Sequence, residues 1–250
     1  MRRISILGLG LMGGSLGLAL RGSGWSRAGW ARRSEVRDEA MEQDAVDEVF
    51  ADPAEAVREA DLVVICLPIQ RIPELVGTIR DALKSGVIVT DVGSTKSTLM
   101  KTCGEILAST DGVFIGSHPI AGSEQQGLGA ARADLYHEAV VVVTPEGALD
   151  DNHPLVEFWQ SLGSVVRVMS AEEHDRYLAR TSHLPHMVAS VLARTVGRDR
   201  LDETGFFCGT GFRDTSRVGG GAATNRCDNV QSHPQARRGA LTANPDTPHP

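Results

Sequence analysis

From Arg3 to about Met169, short apolar runs alternate with stretches of helical composition, and this alternation limits the fold more than any other feature of the chain. Ile4-Ser5-Ile6-Leu7 opens the series, and Arg27–Ala31 is a weaker second run. Leu62-Val63-Val64-Ile65-Cys66-Leu67 is almost wholly apolar, the pattern of a strand buried on both faces. Val87–Asp91, Val113–Ile115, Ala139–Thr144 and Val165–Met169 complete the set. Strands alternating with helices predict an α/β fold, a doubly wound parallel Rossmann-like sheet over residues 1–170.

From Ala171 the strand signals stop. Ala171–Arg198 has helical composition, with Glu172 and Glu173 in its first turn and Pro185 as a kink or boundary. Gly205–Arg217 reads as a loop entering another helix, so residues 171–217 are expected to begin an all-helical domain. After Val218 the character changes abruptly. Three consecutive glycines and scattered Asn, Arg, Thr and His follow, with three prolines in the last six residues and almost no apolar periodicity. Residues 218–250 are expected to be disordered. Their composition is that of a GC-rich reading frame translated out of phase, so a frameshift or gene-model error that truncates the chain near Val218 is the expectation, with a natural divergent tail as the alternative.

The net charge of −7 is spread over both signs, with no basic stripe to bind nucleic acid. No apolar run reaches the roughly 18 residues of a membrane span, and no signal peptide is visible. Cys66, Cys103, Cys208 and Cys227 lack metal-ligand spacing and read as reduced thiols of a cytoplasmic protein.

Gly8-Leu9-Gly10-Leu11-Met12-Gly13 follows the first strand and opens a helix. In that context GxGxxG is a dinucleotide-binding turn. The first glycine permits the bend, the second lets backbone approach the pyrophosphate, and the third lets the helix pack on the sheet. The helix N-terminus adds N–H groups and positive dipole, so Leu11 and Met12 join the cofactor candidates. Leu67 and Pro68, at the end of the long apolar run, are further candidates. An NAD site usually carries Asp or Glu at the end of the second strand. Here that position is Ala31, followed by Arg32, Arg33 and Ser34. Guanidinium groups bind a 2′-phosphate, which a carboxylate would repel, so NADP is the expected cofactor and NAD the alternative.

Four later motifs narrow the reading. They are Asp91-Val92-Gly93-Ser94-Thr95-Lys96, Gly116-Ser117-His118-Pro119-Ile120-Ala121-Gly122-Ser123-Glu124, Thr181-Ser182-His183-Leu184-Pro185-His186, and Gly209-Thr210-Gly211-Phe212-Arg213-Asp214-Thr215-Ser216-Arg217. In this order they resemble the prephenate/arogenate dehydrogenase family of tyrosine biosynthesis, over about residues 3–217. The resemblance implies NADP-dependent oxidative decarboxylation of a small-molecule cyclohexadienol, prephenate or arogenate. It also implies a homodimer built largely from helices beyond Arg217, an interface that residues 218–250 are not expected to supply.

The resemblance assigns His118 as general base, a role that suits a side chain titrating near neutral pH. Ser94 would orient His118 and touch the nicotinamide or substrate; the other reading is a helix N-cap. Arg217 would pair with the ring carboxylate, and His183 and His186 would place the substrate. Arg213 reads as a structural charge, and Glu124 as a residue at the pocket rim. His183-x-x-His186 with Glu172 or His174 has ligand-type residues, but hydride transfer to NADP needs no metal and none is assigned.

Two other readings compete. One is an inactive NADP-binding remnant. The other is a short dehydrogenase of the 3-hydroxyacid or 6-phosphogluconate type. That type relies on a catalytic lysine in the helix after the nucleotide domain, and Ala171–Arg198 contains no lysine.

Overall fold

The structure, a computed structural model, describes residues 2–122, 125–198 and 205–217. The described residues divide into two compact units, the first ending at His174 and the second beginning at Asp175.

The first unit begins with β1 (Arg2–Leu7), α1 (Leu11–Ala19), β2 (Trp25–Trp30), α2 (Ser34–Glu42), β3 (Glu48–Phe50) and α3 (Pro53–Val57). It continues with β4 (Leu62–Ile65), α4 (Ile72–Ile79), β5 (Ile88–Asp91), α5 (Ser97–Leu107) and β6 (Val113–Phe114). These six strands form one parallel sheet in the order β3-β2-β1-β4-β5-β6. Strand order reverses between β1 and β4, and the crevice above such a switch point is where open α/β sheets bind ligands.

The sheet explains the unbroken apolar run at Leu62–Ile65. Leu62 and Val64 join Ile4 and Ile6 in a core against α1 and α2, while Val63 and Ile65 join Val89 in a second core against α3, α4 and α5. Alternate residues face opposite sides, so a strand covered on both must be apolar at every position.

The remaining strands correct the expectation of a single parallel sheet. β7 (Gly116–Pro119), β8 (Val140–Thr144) and β9 (Val165–Val168) form a separate sheet in the order β7-β8-β9. β7 runs antiparallel to β8, and β9 parallel to it. Two strands, β3 and β7, carried no sequence signal. Glu48-Val49-Phe50 is too short for periodicity, and Gly-Ser-His-Pro has no strand-type composition. The second strand also lies earlier than expected, so Ala31 falls just past its end. Helix α6 (Pro154–Ser161) buries Leu155, Val156, Phe158 and Trp159.

α7 (Ala171–Leu178) begins at the end of the first unit. The second unit continues through a π-turn over Ala179–His183 into α8 (Leu184–Val196), and ends its described part at α9 (Thr210–Arg217). Pro185 lies in the first turn of α8, where a missing N–H costs no helical hydrogen bond. Residues 218–250, read above as an out-of-frame tail, lie outside the described residues. Among the described residues, no helix is long and apolar enough to cross a membrane.

Candidate active site

The C-terminal ends of β1, β4 and β5 carry most of the candidates in the first unit. Gly8 leaves β1 with φ +109°, a conformation that suits glycine, and a Cβ there would lie 2.5 Å from the Cys66 carbonyl oxygen. A Cβ on Gly13 would lie 1.9 Å from the Gly8 carbonyl oxygen. These two glycines let the turn close and α1 approach β1. Gly10 is different, because a Cβ there would meet nothing within 4 Å. It is the N-cap of α1, it supplies no capping side chain, and the first turn holds no acidic residue. The N-terminal N–H groups of α1 therefore face a space with no built-in anion, which fits a pyrophosphate. Leu67 and Pro68 follow β4, and Pro68 caps a short 3-10 turn over Ile69–Arg71.

Beyond β2, Arg32, Arg33 and Ser34 are exposed, with no carboxylate at the strand end. The sequence reading missed Arg37. Its guanidinium donates to the carbonyls of Ala31 (2.8 Å) and Arg32 (3.2 Å), which fixes the backbone carrying the two arginines.

At the end of β5, Asp91 is fully buried and pairs with the fully buried Lys96 ammonium. The same carboxylate accepts from the backbone N–H of Gly93 (2.7 Å) and of Ser117 (3.2 Å). Asp91 thus ties the loop holding Ser94 to the strand holding His118. Ser94 is half-buried in that loop, and the N-cap position of α5 belongs to Lys96, so Ser94 is not the helix cap. The Asp91 charge and burial together push the nearby Cys103 thiol up to about 12, burial being the larger cause. A thiol raised this far is a poor nucleophile at neutral pH.

β7 is buried along its length. The Ser117 hydroxyl meets Thr90 Oγ1 at 2.8 Å and accepts from Trp159 Nε1 at 3.0 Å. By strand alternation His118 points to the opposite side. There its Nδ1 lies 2.8 Å from Nε2 of His174, in the first turn of α7. His118 is 9% exposed and His174 fully buried.

The segment after β7 then leans on the nucleotide turn. The Tyr136 hydroxyl donates to the Met12 carbonyl (2.8 Å), and the Arg132 N–H donates to Ser15 Oγ (2.9 Å). Burial raises the Tyr136 phenol well above its usual range, so it stays a donor. The glycine turn and the His118 strand are linked by these bonds. No sequence signal gives Asp91, Lys96, Tyr136, Trp159 or His174 this structural part. Asp91 and Lys96 were visible within a quoted motif; Tyr136 and Trp159 gave no signal beyond their type.

The family model described as prephenate dehydrogenase, nucleotide-binding domain, matches residues 16–168, more than half of the chain. The chain belongs to the prephenate dehydrogenase family. The family's dimerization-domain model matches residues 170–234, a span that continues past Val218. Cyclohexadienyl dehydrogenase of Zymomonas mobilis is 34% identical over 224 residues, covering 87% of this chain and 76% of that protein. Prephenate dehydrogenase of Lactococcus lactis is 32% identical over 222 residues, with 87% of this chain but only 61% of the relative covered. The crystal structure of Aquifex aeolicus prephenate dehydrogenase with hydroxyphenyl propionate and NAD+ superposes with a TM-score of 0.85 at 30% identity, covering 97% of this chain and 85% of the other.

The other candidates of this prephenate dehydrogenase family member lie in the second unit. His183 is buried within the π-turn. His186 is exposed on α8, its Nδ1 2.8 Å from the Ser182 carbonyl oxygen. Arg217 is the last residue of α9, and Arg213 is exposed on the same helix. Glu124 lies outside the described residues.

Proposed function

We propose that this chain catalyses oxidative decarboxylation of prephenate or arogenate, with NADP as hydride acceptor, in cytoplasmic tyrosine biosynthesis. The observation that carries the reading is His118. It is a buried imidazole on a strand joined by hydrogen bonds to both the loop of Ser94 and, through the segment ending at Tyr136, the glycine turn. The dinucleotide supplies the hydride acceptor. His118 takes the proton of the C4 hydroxyl as hydride leaves C4. The ring carboxylate bond then breaks, its electron pair enters the ring, carbon dioxide departs, and the resulting phenolate recovers a proton. Ser94 orients His118. Arg217 pairs with the ring carboxylate, and His183 and His186 place the rest of the substrate. The product is 4-hydroxyphenylpyruvate from prephenate or tyrosine from arogenate.

The test is formation of NADPH by this chain with each substrate. Turnover of neither substrate, with NADP(H) still bound, would replace this reading by that of a nucleotide-binding remnant.

NADP rather than NAD rests on Arg32, Arg33 and Ser34 beside a strand end without a carboxylate. Titrations should show NADP(H) binding tighter than NAD(H), although the Aquifex relative was crystallised with NAD+. Arg32→Asp combined with Arg33→Ala should abolish or reverse the preference. Equal affinities in the parent chain would refute it.

A homodimer is part of the same proposal. On the second unit Leu184, Val188 and Val191 are exposed along α8, and Phe206 and Phe207 are exposed nearby in sequence. Apolar surface of this kind marks interfaces, and the matched domain is described as a dimerization domain. Sedimentation should give about twice the 26.7 kDa chain mass, and a monomer at micromolar concentration would count against it.

A further inference from the structure

The contact between His118 and His174 joins two buried imidazoles from distant parts of the chain, a strand and a helix. Nδ1 of His118 and Nε2 of His174 are 2.8 Å apart, and the rings meet edge to face at 69° with centroids 5.0 Å apart. A neutral imidazole carries one N–H and one lone pair, so such a contact holds only when one ring donates and the other accepts. Filling the same volume with an apolar side chain would have avoided the cost of burying polar nitrogens. From this geometry we infer that His174 is a positioning residue, which accepts a hydrogen bond from His118 Nδ1–H and thereby selects one tautomer of the base.

The inference rests on the reading of His118 as the general base and adds to it which nitrogen works. With the proton held on Nδ1, the lone pair of His118 sits on Nε2, and Nε2 is the atom that receives the substrate's hydroxyl proton. His174 accepts through Nε2 and so carries its own proton on Nδ1. When His118 becomes doubly protonated, the bond to His174 is kept, because Nδ1 remains a donor throughout. His174 thereby fixes the ring about its χ angles and prevents the tautomer in which Nε2 carries a proton and cannot act as a base. The helix supplies rigidity, since His174 sits in the first turn of α7 with its backbone N–H bonded to the Ser170 carbonyl at 3.0 Å.

The test is the ring-nitrogen spectrum of histidine-labelled full chain, read for His118 in the parent, in His174→Phe and in His174→Gln. The chain has eight histidines, and the His118 signals are assigned by their loss in His118→Asn. The parent should show His118 protonated at Nδ1 alone. His174→Phe should give a mixture or the Nε2–H form, whereas His174→Gln, whose amide oxygen can accept, should keep the parent tautomer. In turnover, His174→Phe should lower kcat roughly 10- to 100-fold, the usual cost of losing a partner that orients a working histidine. KM for substrate and for NADP should stay within about threefold, and His174→Gln should recover most of the loss. A parent His118 protonated at Nε2, or a tautomer unchanged in His174→Phe, overturns the inference. Should His174→Phe fail to fold, the smaller apolar variant His174→Leu is read in its place, with the same expected and overturning outcomes. The spectrum needs no catalysis, so a chain that turns over neither substrate refutes the proposed activity without touching this result.

Discussion

Replacing His118 by Asn should lower kcat by roughly 10²–10⁴, the usual contribution of a positioned general base. Asparagine keeps a polar group on β7 opposite His174 but has no nitrogen that can take a proton at neutral pH. NADP affinity should barely change. The glycine turn, the N-terminus of α1 and the arginines after β2 are separate from the imidazole and hold the cofactor in the proposed site. Steady-state kinetics and a cofactor titration on the same preparations measure both quantities. A kcat within about threefold of the parent would remove His118 from the mechanism and leave the buried histidine pair as core packing.

Asp91→Ala is expected to have the largest effect on stability. Asp91 is the buried counterion of Lys96 and also accepts from the Gly93 and Ser117 N–H groups. Without the carboxylate, the Lys96 ammonium loses that counterion in an interior with no access to water. Removing one member of a buried ion pair costs about 3–5 kcal/mol, a large share of the 5–15 kcal/mol that holds a domain folded. For a chain of this length that corresponds to a fall in Tm of about 6–20 °C. Lys96→Met together with Asp91→Ala should recover a good part of the loss, since the buried charge goes with its partner. A single variant whose Tm stays within about 2 °C of the parent would show that the pair contributes little. Loss of activity should exceed loss of fold, because the loop of Ser94 and the strand of His118 both hang on this carboxylate.

Much of this was legible in the sequence, and for local reasons. The periodicity of Ile4–Leu7 and Leu62–Leu67 reports burial on both faces of a strand, which is a property of neighbouring residues. The glycine turn is legible because Gly8 and Gly13 meet demands of backbone geometry within six residues. The helix restart at Leu184 is legible because Pro185 acts on its own turn. The motifs containing Ser94, His118 and Arg217 stood out as contiguous words.

Tertiary structure decided what depends on partners far apart in the chain. Periodicity identifies β8 and β9 as strands but does not say which sheet they join. Their pairing with β7 is non-local, and β7 has no strand-type composition to announce it. The same limit hid the bonds of Asp91 to Ser117, Trp159 to Ser117, Tyr136 to Met12 and His174 to His118, which span 26, 42, 124 and 56 residues. A side chain's type limits which bonds it can make, but only the folded chain brings it within hydrogen-bond distance of one partner rather than another. The sequence therefore determined the apolar strands of the parallel sheet, the glycine turn and, through the family motifs, the candidate base. The choice of nitrogen on that base, and the link between its strand and the nucleotide turn, followed from packing.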